Sequence, residues 1–396
     1  MPQTPNDPFP APKLGEPYLL TPGPLTTAFS VKQAMLRDWG SWDVDFRAMT
    51  KSLCDQLVAM AGDAKGEFAC VPMQGSGSYC VEAMLGTFVP KRGKVLVLAN
   101  GAYGLRAAET MRYIGRACTL IDKGDYMPPR GDEVGAALDA DPSLSHVIAI
   151  HCETSSGILN PVAEISAAVY ARGRKLLVDS MSAFGACDLD VTRIRYEAMV
   201  SSANKCIEGV PGFGFVIARK SELEAAIGNC HSLSLDVHAQ WANMVKSGQW
   251  RYTPPTHVVA AFLEALRLHA DEGGVPARGA RYAKNRDVIV AGMRGLGFET
   301  LLKDRWLSPI IVTFFCPADP NFVFTRFYDL MKTRGFIIYP GKLTVVDSFR
   351  IGVIGRMDEH VMRLVVQAAK DSLAEMGVAS AAPPAAALAE RARLAA

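Results

Sequence analysis

The chain has 396 residues, too many for one comfortable core, so two or three folding units are expected at about 150 residues each. Hydrophobic residues make up 49% and charged residues 21%, which excludes a disordered or fibrous chain. Lys plus Arg number 42 against 40 Asp plus Glu; a net charge of +2 without a basic run excludes the footprint of a nucleic-acid or anionic-membrane binder, and no apolar stretch approaches the roughly 18–20 residues of a membrane span.

The first 18 residues hold six prolines and no apolar signal core, so they are expected to form a flexible leader that is not a secretory signal. From about residue 67, short apolar runs alternate with amphipathic stretches. FACVPM (68–73), KVLVLAN (94–100), ACTLID (117–122), HVIAIHC (146–152) and KLLVDS (175–180) read as strands. Helix-like segments such as 109–115 and 162–173 lie between them. This alternation predicts βαβ units and a mostly parallel sheet, extended by AMVSSAN (198–204) and FGFVIAR (213–219). The α/β domain is expected over 19–275.

A smaller α+β domain is expected over 276–378, beginning within a long helical stretch at 256–297. Its strands are SPIIVTFFC (308–316), FIIYP (336–340) and SFRIGVI (348–354), with a helix at 321–334. The last helix opens with Asp358 as cap, carries Val361, Leu364, Val365 and Ala368 on one stripe, and closes at Gly377. Residues 379–396 contain ten alanines and Pro383–Pro384, and are expected to be disordered. No internal repeat is visible.

The nine cysteines contain no C-x-x-C pair, which fits reduced thiols in the cytoplasm better than a disulfide framework or a zinc ribbon. The seven histidines contain no H-E-x-x-H, so no metal site is expected.

Three features carry chemistry. QGSGSY (74–79) joins a strand to a helix; its glycines permit a sharp turn and Ser76 and Ser78 add donors at a helix N-terminus that suits a phosphate. It lacks the Lys-Ser/Thr of a Walker loop, and Cys80 takes the third glycine position of G-x-G-x-x-G, so an ordinary βα turn is the alternative. Asp179 ends the run KLLVDS, where ligands gather in parallel sheets; it is either a turn cap or the partner of a cationic ring nitrogen. Lys205 leaves a strand before a Gly/Pro-rich loop, and is either a solvated surface charge or a desolvated amine able to form a Schiff base. In that order the three fit pyridoxal 5′-phosphate, held by phosphate, ring nitrogen and aldehyde.

With these motifs the sequence resembles the fold-type I, class V pyridoxal-phosphate aminotransferases from about Leu19 to Gly377. The stretches LLTPGPLTT (19–27), NGAYG (100–104), HCET (151–154), GILNP (157–161), SSANKCIEGVPGF (201–213), SLSLD (232–236), QWRYTPPTH (249–257), IYPGK (338–342) and FRIG (349–352) carry the resemblance. NGAYG, the lysine motif, TPPTH and IYPGK point within the family to the branch that moves the amino group of 2-aminoethylphosphonate to pyruvate. The resemblance implies a homodimer with the cofactor at the subunit interface. It implies Lys205 as Schiff-base lysine, Asp179 on the ring nitrogen, and Ser76, Gly77 and Ser78 on the phosphate. Tyr103 would stack on the ring, Thr154 would lie near its phenolic oxygen, and Thr253 would reach the neighbouring subunit's phosphate. Arg350 would grip the substrate anion, although as a residue alone it also reads as half of a surface ion pair.

The chain departs from that branch at Ser155 and Ser156, which keep the hydroxyls of a threonine run, and at Val237 and His238, expected to alter the pocket wall. Arg251 is expected to order the loop carrying Thr253, and packing roles are expected for His151, His238 and Cys206. The rival readings are an alanine–glyoxylate or serine–pyruvate aminotransferase, a cysteine desulfurase-like lyase, and a silent cofactor-binding module. Tyr103, where desulfurases usually stack a histidine, argues against the lyase. The intact Lys, Asp and phosphate loop argue against the silent module.

Overall fold

The computed structural model describes residues 9, 12, 14–341 and 346–394; most of the expected leader, and Lys342 of IYPGK, lie outside the described residues. The chain starts with strand β1 (Tyr18–Leu19), helix α1 (Phe29–Gln33) and helix α2 (Val44–Met60). Asp43 caps α2 by accepting the Asp45 N–H at 2.8 Å. Then β2 (Phe68–Gln74), α3 (Gly77–Phe88), β3 (Lys94–Ala99), α4 (Ala102–Tyr113), β4 (Ala117–Asp122), α5 (Gly131–Ala140) and β5 (Leu144–Ile150) alternate as the apolar runs predict. A short hairpin of β6 (Cys152–Glu153) and β7 (Ile158–Leu159) precedes α6 (Val162–Tyr170), β8 (Lys175–Asp179), β9 (Ala198–Ser202) and β10 (Phe213–Arg219).

The central seven-stranded sheet has the order β2-β10-β9-β8-β5-β3-β4. β10 runs antiparallel to both its neighbours and the sheet's other strand pairs are parallel, as expected of a mostly parallel sheet. Its inner strands, such as β3 and β8, are buried along nearly their whole length because both faces are covered, whereas the edge strand β4 is half-exposed. One face packs on α2, α5, α6 and the later helix Thr256–Glu272 through Leu53, Val147, Phe215 and Phe262. The other packs on α3 and α4 through Met84, Val97, Met111 and Val200. The carboxyl ends of β5, β8 and β9 therefore open on one edge, the usual place for a ligand.

After α7 (Lys220–Ala225) and α8 (Val237–Ser247), the expected stretch 256–297 is two helices, α9 (Thr256–Glu272) and α10 (Gly274–Gly295). They part at Gly273, whose φ of +108° ends α9 in the left-handed region. The second domain adds β11 (Ile311–Phe315), α11 (Phe324–Thr333), β12 (Phe336–Ile337), β13 (Tyr339–Pro340), β14 (Ser348–Gly352) and α12 (Glu359–Met376). Asp358 caps α12 through the N–H groups of His360 and Val361, and Gly377 ends it with φ +72°. FIIYP, expected as one strand, is split: β12 pairs with β1 and β13 with β14. The N-terminal segment is thus tied to the second domain, with Leu20 in its core. Residues 379–396, expected to be disordered, carry helix α13 (Ala385–Leu394). Alanine is the best helix former, Pro383–Pro384 precede the first turn, and Arg391 Nη1 donates to Thr300 O at 2.6 Å.

Candidate active site

The glycine turn comes first. Gly75 holds φ +118°, and a Cβ there would strike the Tyr79 ring. A Cβ on Gly77 would lie 2.5 Å from Met181 Sδ, so the start of α3 is pressed against the chain two residues past Asp179. Ser76 is the N-cap residue, yet its side chain caps none of the helix N–H groups. Tyr79 N–H makes the first turn bond, to Ser76 O at 3.0 Å, which leaves Gly77 and Ser78 as N–H donors at the positive end of the helix.

Asp179 ends β8 and is 6% exposed. Its Oδ1 accepts the Met181 N–H at 2.9 Å. Burial, with the charge of Glu153 adding to it, lifts the carboxyl to about 6, against the pull of that N–H and of Lys205. Lys205 follows β9, and its Nζ donates to Pro22 O at 2.8 Å and Gly23 O at 3.1 Å. Burial lowers its ammonium to about 8, with Asp179 among the groups that resist the shift. It is not the solvated charge that a lone lysine suggests.

Arg350 lies on β14 and is 2% exposed. It is not half of a surface ion pair: among the described residues no carboxylate lies within ion-pair distance of it. Its Nη1 donates to Thr154 O at 2.9 Å, its Nε to Pro340 O at 3.1 Å, and it sits 5.2 Å over the Tyr339 ring. Burial lowers its proton affinity, opposed first by the nearby Tyr103. Tyr103, in the first turn of α4, thus shares a neighbourhood with Arg350 and Thr154.

Two contiguous groups result: Gly77 with Asp179 and Lys205, and Tyr103 with Thr154 and Arg350. Glu153 links them, since its carboxyl accepts the Tyr103 N–H and its charge acts on Asp179. Thr253 is not brought in; it is exposed on the loop before α9. Arg251 orders that loop as expected, its Nη1 on Leu233 O at 2.8 Å. Val237, expected to alter the pocket wall, is buried against α3 with its N–H on Thr87 Oγ1, and His238 packs edge-on to Trp241. His151 bonds Ser180 Oγ at 3.0 Å and Cys206 Sγ lies 3.1 Å from Ser182 O, both packing roles.

Sequence reasoning missed two contributors. Glu153 is the acid inside HCET, and its signal was a lone charge in an otherwise uncharged run after a strand. The carbonyls of Pro22 and Gly23 belong to LLTPGPLTT, which carried the resemblance without a role.

The Aminotransferase class-V family model matches residues 76–317. A "2-aminoethylphosphonate--pyruvate transaminase" of Rhizobium meliloti is 77% identical over 97% of this chain and 100% of its own length. One of Paraburkholderia xenovorans is 69% identical over 97% and 99%. Among solved structures, pyridoxamine-pyruvate aminotransferase from Mesorhizobium loti superposes with a TM-score of 0.83 at 22% identity, covering 92% of this chain and 94% of that one. Ureidoglycine-glyoxylate aminotransferase from Bacillus subtilis gives 0.83 at 18%, over 96% and 97%. With a family model over more than half its length and near-full-length relatives far above 30% identity, the chain belongs to the class-V aminotransferase family.

Proposed function

We propose that this enzyme transfers the amino group of 2-aminoethylphosphonate to pyruvate, giving phosphonoacetaldehyde and L-alanine, with pyridoxal 5′-phosphate as cofactor. The observation that carries the reading is Arg350, a buried guanidinium bonded to carbonyl oxygens with no carboxylate within ion-pair distance among the described residues. A buried cation so placed has no direct ion-pair partner, and both a phosphonate and a carboxylate supply one in the bidentate form guanidinium prefers. The 77% identical relative supports the particular substrate pair.

The residues fit the cofactor. Gly77 and Ser78 N–H groups with the Ser76 and Ser78 hydroxyls suit its phosphate, and a buried Asp179 at about 6 gains from a cationic partner. Tyr103 would cover the ring face and Thr154 would lie beside the phenolic oxygen. When bound, the cofactor supplies an aldehyde that exchanges for the amino group and a ring that accepts electrons from the adjacent carbanion.

The protein's own part follows from the two shifted groups. Asp179 holds a proton on the ring nitrogen. Lys205, at about 8, sheds its proton readily near neutral pH and so serves as base and then acid at the substrate carbon that bears nitrogen. Arg350 fixes the far end of each substrate, which orients the carbon–hydrogen bond toward Lys205.

The functional unit is a homodimer in which Thr253 serves the partner's phosphate. Exposed Tyr79 and Tyr252 support this, lying around a cavity of about 450 Å³ beside the glycine turn. The nine free cysteines favour a cytoplasmic setting, and no helix among the described residues is long and apolar enough to cross a membrane. Incubation of the purified protein with 2-aminoethylphosphonate and pyruvate tests the reading: alanine and phosphonoacetaldehyde should appear in equal amounts, and no alanine would refute it.

A further inference from the structure

Glu153 is fully buried on β6, and no lysine, arginine or histidine lies within ion-pair distance of it among the described residues. Four donors converge on it. Oε2 accepts the N–H of Tyr103 at 2.9 Å and of Gly104 at 3.3 Å; Oε1 accepts the N–H of Ser155 at 3.1 Å and its hydroxyl at 2.5 Å. Three of the four partners are backbone N–H groups, which can only donate, so both carboxyl oxygens serve as acceptors and only the Ser155 hydroxyl could receive a hydrogen in return. Burial raises the Glu153 carboxyl above its ordinary value, and the four donors offset only part of that rise.

The Tyr103 and Gly104 amides are the orphan donors at the start of α4, and Glu153 takes the place of an N-cap side chain there. Gly101, the N-cap residue, has no side chain to offer, and its Cβ would lie 2.6 Å from Glu153 Cγ. Ser155 Oγ also accepts the Ala102 N–H at 3.1 Å, and Thr154 O accepts from Arg350. Residues 153–155 therefore grip the helix that carries Tyr103 with one hand and the anion-binding arginine with the other.

We propose that Glu153 is a positioning residue, which sets the Tyr103 ring against the cofactor face by capping α4 and ties that ring to Arg350 through the adjoining Thr154. The inference rests on the cofactor reading above and adds to it a residue that does not itself touch the reacting atoms. A glutamine at 153 keeps the size but presents one acceptor oxygen, so its NH₂ must face either the α4 amides or Ser155 N–H. Leaving one buried donor without its acceptor corresponds to roughly 10-fold or more in an equilibrium.

Three readouts on wild type and Glu153→Gln test this. Hydrogen exchange at the Tyr103 and Gly104 amides of the cofactor-free protein should quicken at least about 10-fold. The dissociation constant for pyridoxal 5′-phosphate should rise by a similar factor. The visible circular dichroism of the bound cofactor, which reports how its ring is held, should weaken while the far-ultraviolet spectrum stays unchanged. A variant with wild-type cofactor affinity and wild-type visible dichroism overturns the inference, whatever its exchange rates. Should Glu153→Gln fail to fold, Glu153→Asp keeps the charge and shortens the reach; the same three measurements apply, and unchanged dichroism again overturns it. Wild-type protein that takes up no pyridoxal 5′-phosphate overturns the cofactor reading itself, an outcome visible before any variant is made.

Discussion

Asp179 and Lys205 are buried opposite charges, each moved toward neutrality by its own burial and drawn back by the other. The carboxyl stands at about 6 and the ammonium at about 8. A site built for stability would not leave them so; a site awaiting a cationic ring nitrogen and an aldehyde would.

The first prediction concerns stability without cofactor. The Asp179 value is raised above the ordinary 3.8, so its contribution is present below about pH 4 and lost as pH rises through 6. The Lys205 value is lowered from 10.5, so its contribution is present above about pH 10.5 and lost as pH falls through 8. Between 6 and 8 both penalties apply. Asp179→Asn should therefore stabilise the cofactor-free protein at pH 7 by about 2–3 kcal/mol, a gain that vanishes near pH 4. Urea titrations at the two pH values check this; a variant less stable than wild type at pH 7 contradicts it.

The same substitution should cost activity. Without the carboxylate nothing holds the proton on the ring nitrogen, and turnover should fall about 100-fold or more, equivalent to roughly 3 kcal/mol of barrier. Full turnover by Asp179→Asn would make the residue only the cap of the Met181 turn.

For Lys205→Ala, cofactor should still bind through the glycine turn and Asp179, while turnover is abolished. Borohydride should fix the cofactor to wild-type protein at a peptide containing Lys205, and to nothing in the variant. Mass spectrometry of the digested adduct reads this directly.

Arg350→Lys keeps a charge and loses the two-pronged grip. One charge-assisted bond lost corresponds to about 10- to 150-fold in kcat/KM, for 2-aminoethylphosphonate and pyruvate alike. An amine without an anionic group should be affected little, because it never made the contact. Loss confined to one of the two anions would separate their sites.

Thr253 tests the shared site. Thr253→Ala should weaken cofactor binding about 10-fold, and sedimentation should show a dimer whose cofactor affinity falls when dilution separates it. A monomer that holds cofactor normally would place Thr253 outside the site.

Much of this was legible because strands buried on both faces announce themselves. Lys94–Ala99 and Lys175–Asp179 lie within a residue of their apolar runs, and the alternation decided which loops share an edge. The Gly75–Ser78 turn, Asp179 and Lys205 could be named because their chemistry has a chain order. What stayed hidden acts across long separations. Tyr18–Leu19 is two residues long, and its pairing with Phe336–Ile337 has no local pattern. Glu153 reaches Tyr103 across 50 positions, and an acid at a strand end reads alone as a solvated charge. The Ala-rich tail was misjudged because low complexity suggests disorder, although alanines after a proline pair also favour a helix.

The central claim is that the site accepts a phosphonate amine as donor and pyruvate as acceptor. The most direct measurement is kcat/KM for 2-aminoethylphosphonate, L-alanine, L-serine and L-cysteine as donors, each with pyruvate and with glyoxylate, on one preparation of the wild-type enzyme. 2-Aminoethylphosphonate with pyruvate should exceed every other unlike pair by at least about tenfold, the value of one well-placed contact near 1.4 kcal/mol. Faster turnover of serine or alanine with glyoxylate, or release of sulfide from cysteine, would contradict the account while leaving the fold and Lys205 as they are.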